Sequence, residues 1–147
     1  MVMRARDLAR PYPVLSPDAD AAEAAHLLAR EEIEAVFVAG DGGLAGVVHD
    51  AGLLRWLLPR YLDDDRILAG VLGEGAADEL CRGLEGHRVA DLLAEGSIPR
   101  IDGDANLVEV AEVLARTQAS VVAVMQGRRL LGGITTSALI RRLLERP

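Results

Sequence analysis

Pro17-Asp-Ala-Asp-Ala-Ala-Glu-Ala-Ala25 and Gly103-Asp-Ala-Asn-Leu-Val-Glu-Val-Ala111 share one pattern, and aligning them sets Asp20 on Asn106, an offset of 86 residues. The offset continues without a gap. Leu28-Ala29-Arg30 falls on Leu114-Ala115-Arg116, Leu44 on Leu130, Gly46 on Gly132, and Leu53-Leu54-Arg55 on Leu139-Ile140-Arg141. So many matches at one register define an internal duplication, the first thing to seek in a chain.

Working outward, each copy repeats the same local physics. Asp20-Ala-Ala-Glu23 and Asn106-Leu-Val-Glu109 read as capping boxes, each opening a helix. Ala24, Leu27 and Leu28, with Val110, Val113 and Leu114, give apolar faces that carry these helices to about Glu32 and Gln118. Ala35–Val38 and Val121–Val124 lack polar alternation, the pattern of strands buried on both faces. Asp41-Gly42-Gly43 and Gln126-Gly127-Arg128 predict hairpins into return strands Leu44–Val48 and Leu130–Ile134. Gly46 and Gly132 in those strands mark a close approach by a ligand or by neighbouring backbone. Helices over Ala51–Leu58, ended by Pro59, and Ser137–Arg146 close the copies. Extended pieces at Tyr12–Leu15 and Ser97–Ile101 precede them, and Asp-Leu pairs within Arg4–Leu8 and Arg88–Leu93 read as short lead-in helices. The expected organisation is a first repeat over 1–60, an insert over 61–87 with a helix near Ala76–Leu84, and a second repeat over 88–147.

Composition narrows the function. A chain of 147 residues suits one compact domain or two small packed ones, and 3% aromatic content leaves the core to Ala, Val, Leu and Ile. A net charge of -7, with all 16 basic residues Arg, disfavours nucleic acid. The single Cys81 excludes an intrachain disulfide and suits a reducing compartment. With no apolar run long enough to span a bilayer and no signal-peptide pattern, the expectation is a soluble cytoplasmic protein without membrane insertion.

Lead-in Asp-Leu, capped Ala-rich helix, Val-rich strand, Gly hairpin and Gly-Val-Val or Gly-Ile-Thr before a Leu-rich helix together resemble tandem cystathionine β-synthase-type (CBS) domains, a pair known as a Bateman module. The resemblance covers nearly the whole chain outside the insert. It implies an α/β (α+β) fold of two βαββα repeats about a pseudo-twofold axis, and a regulatory role without catalysis. It also implies sensing of AMP, ATP or S-adenosylmethionine in clefts between the repeats. One cleft would join His49 and Gly52 to Pro99, Ser120 and Val121; the other would join Thr135, Ser137 and Ala138 to Pro13, Glu34 and Ala35. Nucleotide-binding members carry Gly-x-x-Thr/Ser-x-x-Asp after the third strand. Here His49 and Gly52 stand at the hydroxyl and carboxylate positions of one copy, and Thr135 and Ala138 at those of the other. Loss of both ribose carboxylates costs about 1.5–3 kcal/mol at each site, one to two decades of affinity. A ligand-free dimerisation or interaction module is therefore the alternative reading. A homodimer that regulates an enzyme or transporter fits either.

The other polar features have plain structural readings. His49 serves equally as a strand-end histidine satisfied by backbone, and Thr135-Thr136-Ser137 as a ready N-cap. His26 and His87 lack metal-ligand spacing, Asp63-Asp64-Asp65 reads as a solvated turn, and no metal site is expected. Trp56 and Tyr61 suit either a core or an interface.

Overall fold

A computed structural model of the chain describes residues 2–62, 82–93 and 98–145. Asp63–Asp65, Cys81, Ser97 and most of the helix expected over 76–84 lie outside the described residues.

The architecture is mixed α+β, in two compact units, Pro13–Glu95 and Met1–Tyr12 with Gly96–Pro147. In the first, β1 (Val14–Leu15), α2 (Ala21–Arg30), β2 (Ala35–Gly40), β3 (Gly43–His49) and α3 (Asp50–Leu62) follow in order, joined by the short 3-10 helix Val89–Leu92. In the second, α1 (Ala5–Leu8) joins β4 (Arg100–Asp102), α4 (Leu107–Thr117), β5 (Val121–Gln126), β6 (Arg129–Thr135) and α5 (Thr136–Leu144). Each unit holds a three-stranded sheet with β2 or β5 in the middle, parallel to one neighbour and antiparallel to the other. The middle strands, Val- and Ala-rich, are buried as their unbroken apolar runs require.

The duplication holds pair for pair. Ala35 pairs with His49 and Val38 with Gly46, as Val121 pairs with Thr135 and Val124 with Gly132, and the register slips after Val38 and after Val124 alike. Each sheet covers its own core: Val36, Val38, Val48, Ala24 and Leu28 in one unit, Val122, Val124, Ile134, Val110 and Leu114 in the other.

The units and the sequence repeats are different partitions, because the lead-ins are exchanged. Ala5 donates its N–H to the Ala105 carbonyl at 2.7 Å and Arg6 to that of Gly103 at 3.0 Å, so the first lead-in docks on the start of α4. The second docks on the start of α2, with Val89 donating to Ala19 at 2.8 Å and Ala90 to Pro17 at 3.0 Å. Ala5 and Val89 are fully buried there. Arg4 and Arg88 reach the Asp104 and Asp18 carbonyls at 2.9 and 3.0 Å, and Asp7 and Asp91 each accept the N–H of the residue that opens their turn. The close approach expected at Gly46 and Gly132 is therefore the lead-in itself: a Cβ on Gly132 would lie 2.5 Å from the Arg10 carbonyl oxygen, and one on Gly46 would lie 3.0 Å from a Leu93 methyl.

Three local expectations are corrected. Asn106 caps α4, accepting from the Glu109 N–H at 2.9 Å while donating to its carboxylate at 3.0 Å, but the Asp20 side chain makes no cap. Its carboxylate instead meets Arg88 at 3.2 Å, because a cation docks beside that helix start. α2 and α4 stop at Arg30 and Thr117, with Glu32 and Gln118 at φ of 51° and 55°, left-handed residues that end the helical ladder. α3 runs past Pro59 to Leu62, although the ring forgoes one backbone bond and crowds the carbonyl four residues before it.

Candidate functional site

In both units the return strand ends at the residue that caps the next helix. His49 Nδ1 accepts the Gly52 N–H at 3.0 Å, and Thr135 Oγ1 accepts the Ala138 N–H at 3.2 Å. The twin positions do the same work with different chemistry. An imidazole accepting at Nδ1 carries its proton on Nε2 and is neutral. Burial holds the His49 pKa below its ordinary value, the Arg55 guanidinium adds to this, and the Asp50 carboxylate opposes it. Protonation of His49, which would favour an anion here, is thus opposed by burial and by Arg55.

Around His49 lies a half-open pocket of about 210 Å³, lined by Val47, Val48, His49, Gly52, Arg55, Trp56, Leu92 and Leu93. β3 contributes the apolar floor, α3 contributes its first turns, and the 3-10 helix with its following residue contributes the leucines. Trp56 packs edge-on to His87, ring centroids 4.9 Å apart, and His87 Nδ1 lies 3.4 Å from the Asp91 carboxylate. The pocket therefore combines an apolar wall, an indole, a guanidinium and the N-terminal end of a helix, features able to hold an aromatic ring with an anionic group.

The corresponding turn of the other unit is lined by hydroxyls. Thr135 is 5% exposed, its Oγ1 lies 3.3 Å from the Ser137 hydroxyl, and Thr136 donates its hydroxyl to the Ala119 carbonyl at 3.1 Å. The Thr136 N–H reaches the Ser120 carbonyl at 3.0 Å as the Asp50 N–H reaches that of Glu34 at 3.2 Å. Among the expected site residues, Pro13, Glu34, Ala35, His49 and Gly52 thus belong to one unit, and Pro99, Ser120, Val121, Thr135, Ser137 and Ala138 to the other. Arg55, Leu92 and Leu93 were not singled out from sequence as site residues, and Trp56 only as core or interface. The available signal was the position of Arg55 and Trp56 one turn beyond Gly52, on the face that looks back to the strand end. Among the described residues no cluster of three or more His, Cys, Asp or Glu is placed to hold a metal, and no helix is long and apolar enough to cross a membrane.

The paired sheets, the lead-in helices and the strand-to-helix turns are those of the CBS domain, and the chain belongs to the CBS-domain family: the family pattern matches residues 5–59. The chain is similar, at 32% identity and a TM-score of 0.79 over 97% of its length and 99% of the other, to a CBS domain-containing protein of unknown function from Kribbella flavida. It shares its fold with the CBS domain of a membrane protein from Sphaerobacter thermophilus (17% identity, TM-score 0.73, covering 97% and 89% of the two chains). It also shares it with CBSX2, solved in complex with AMP (23% identity, TM-score 0.68, covering 97% and 96%). No curated protein matches the sequence.

Proposed function

We propose that the chain is a regulatory ligand-sensing CBS protein that binds an adenine-containing ligand, such as AMP, ATP or S-adenosylmethionine, at the start of α3. It signals through self-association to a partner enzyme or transporter. The observation that carries this reading is the pocket, in which Val47, Val48, Leu92 and Leu93 offer ring-packing surface beside Arg55 and a helix N-terminus. The AMP complex of CBSX2 supports the choice of ligand class. At about 210 Å³ the pocket suits one portion of a nucleotide, since whole drug-sized ligands occupy about 300–1,000 Å³.

One observation favours the ligand-free alternative. The Gly52 and Ala138 N–H groups are already taken by His49 and Thr135, and these two residues stand where the family motif carries its carboxylate. Calorimetry with AMP, ADP, ATP and S-adenosylmethionine separates the two. Saturable heat that shrinks in His49→Ala supports the sensor, whereas no heat at millimolar ligand leaves the interaction module.

A further inference from the structure

Gly52 is a costly residue where it stands. It is the third residue of α3, inside the first helical turn, and its backbone is outside the left-handed region that favours glycine. The third residue of α5 is its twin, Ala138, so the same turn accepts a side chain in the other unit. What excludes one here is His49. A Cβ on Gly52 would lie 3.0 Å from both Cε1 and Nε2 of the imidazole and 3.3 Å from Nδ1. Thr135 caps the twin turn with a hydroxyl and leaves that room. The chain therefore gives up helix propensity at residue 52 to keep an imidazole where a hydroxyl also caps.

That imidazole lines the pocket with a donor. Nδ1 is committed to the Gly52 N–H, so Nε2 carries the proton, and among the described residues nothing accepts from it. The other polar side chains lining the pocket are Arg55 and Trp56, both donors. Arg55 is exposed and meets no carboxylate among the described residues, and its charge helps to keep His49 a single N–H donor rather than a second cation. Among the described residues no carboxylate, hydroxyl or amide side chain lines this pocket, so its side chains offer donors without an acceptor.

We propose that His49 sets the selectivity of the pocket: its Nε2–H, together with the Arg55 guanidinium, takes an oxyanion of the ligand, a carboxylate or phosphate group, in the space that a side chain at residue 52 would fill. This rests on ligand binding at the start of α3 and names the group held there. An oxyanion brings only acceptors to a wall of donors, whereas the O–H groups of a diol find no side-chain acceptor. The apolar surface of Val47, Val48, Leu92 and Leu93 strengthens both hydrogen bonds by keeping the surroundings poorly polar.

Calorimetry of the full chain at neutral pH with AMP, adenosine and inorganic phosphate tests this. The native chain is compared with His49→Thr/Gly52→Ala, which copies the twin turn, and with His49→Thr alone, circular dichroism checking the fold of each. AMP should bind the native chain about a hundredfold more tightly than adenosine, and both variants should lose about tenfold of that preference, the share of one charge-assisted hydrogen bond. Adenosine binding should change less. A preference that the variants keep, or a native chain that binds AMP and adenosine alike, overturns the role of His49 and leaves ligand sensing standing. Phosphate bound without either adenine compound, and weakened in the variants, supports the oxyanion site and overturns the adenine ligand. Heat from none of the three at millimolar concentration overturns the oxyanion site, while the titrations with ATP and S-adenosylmethionine decide the sensor separately.

Discussion

Replacing Gly132 by Ala and, separately, Gly46 by Ala asks whether the exchanged lead-ins are integral to the units they join. The two positions are twins in register, opposite Val124 and Val38, yet the added methyl meets different things. At Gly132 it would lie 2.5 Å from the Arg10 carbonyl oxygen and 3.0 Å from its carbon, at a φ of 157° that side chains rarely adopt. Relief requires Arg10 to withdraw, breaking the reciprocal bonds between Arg10 and Gly133 at 3.0 and 2.9 Å. Two backbone hydrogen bonds at about 1 kcal/mol each, with the strain added, give a loss of about 2–4 kcal/mol. At Gly46 the neighbour is the end of the Leu93 side chain at 3.0 Å, which relieves the contact by a rotamer shift costing about 1 kcal/mol. Urea or thermal unfolding measures the difference, at about 2–4 °C per kcal/mol for a chain of this size. Limited trypsin digestion reports where it falls, with faster cleavage at Arg4 and Arg6 expected in Gly132→Ala alone. Equal losses at the two glycines, or an unchanged digestion pattern, would refute the account of the lead-ins.

Acidification should weaken the fold through His49. Its pKa is lowered on folding, so the unfolded chain takes up the proton first as pH falls below about 6.5, and stability drops until the folded imidazole also titrates. Unfolding at neutral and mildly acidic pH should show this loss in the native chain and a smaller one in His49→Thr, which installs the twin's hydroxyl cap. Gln118→Gly should stabilise by about 0.5–1 kcal/mol, because glycine accepts the left-handed backbone at φ 55° without strain, an effect measured as a raised melting temperature. Asn106→Ala should cost about 1 kcal/mol in chemical denaturation while Asp20→Ala costs less, since only Asn106 caps its helix through its side chain.

What the sequence made readable was whatever is local or repeated. The offset of Asp20 to Asn106 located the two hairpin strand pairs, because the same turn recurs once two copies are aligned, whereas the parallel pairs of β1 and β4 were not read. The exchange of lead-ins was hidden, since two Asp-Leu segments and two similar helix starts carry no local signal of which docks on which. Asp20 looked as good a cap as Asn106, and only the three-dimensional arrival of Arg88 turned its carboxylate away. In the site, His49 and Thr135 were singled out through the family resemblance, and both are helix caps. Arg55, Trp56, Leu92 and Leu93 join His49 through packing of α3 against the exchanged lead-in, a long-range contact that periodicity does not encode.

Trp56, the only tryptophan in the chain, lines the pocket, so its fluorescence is the most direct probe of the sensing claim. Titration with AMP, ATP or S-adenosylmethionine should give a saturable change in its emission, with a weaker apparent affinity in Arg55→Ala. An emission spectrum unmoved by every one of these ligands at millimolar concentration would contradict the account.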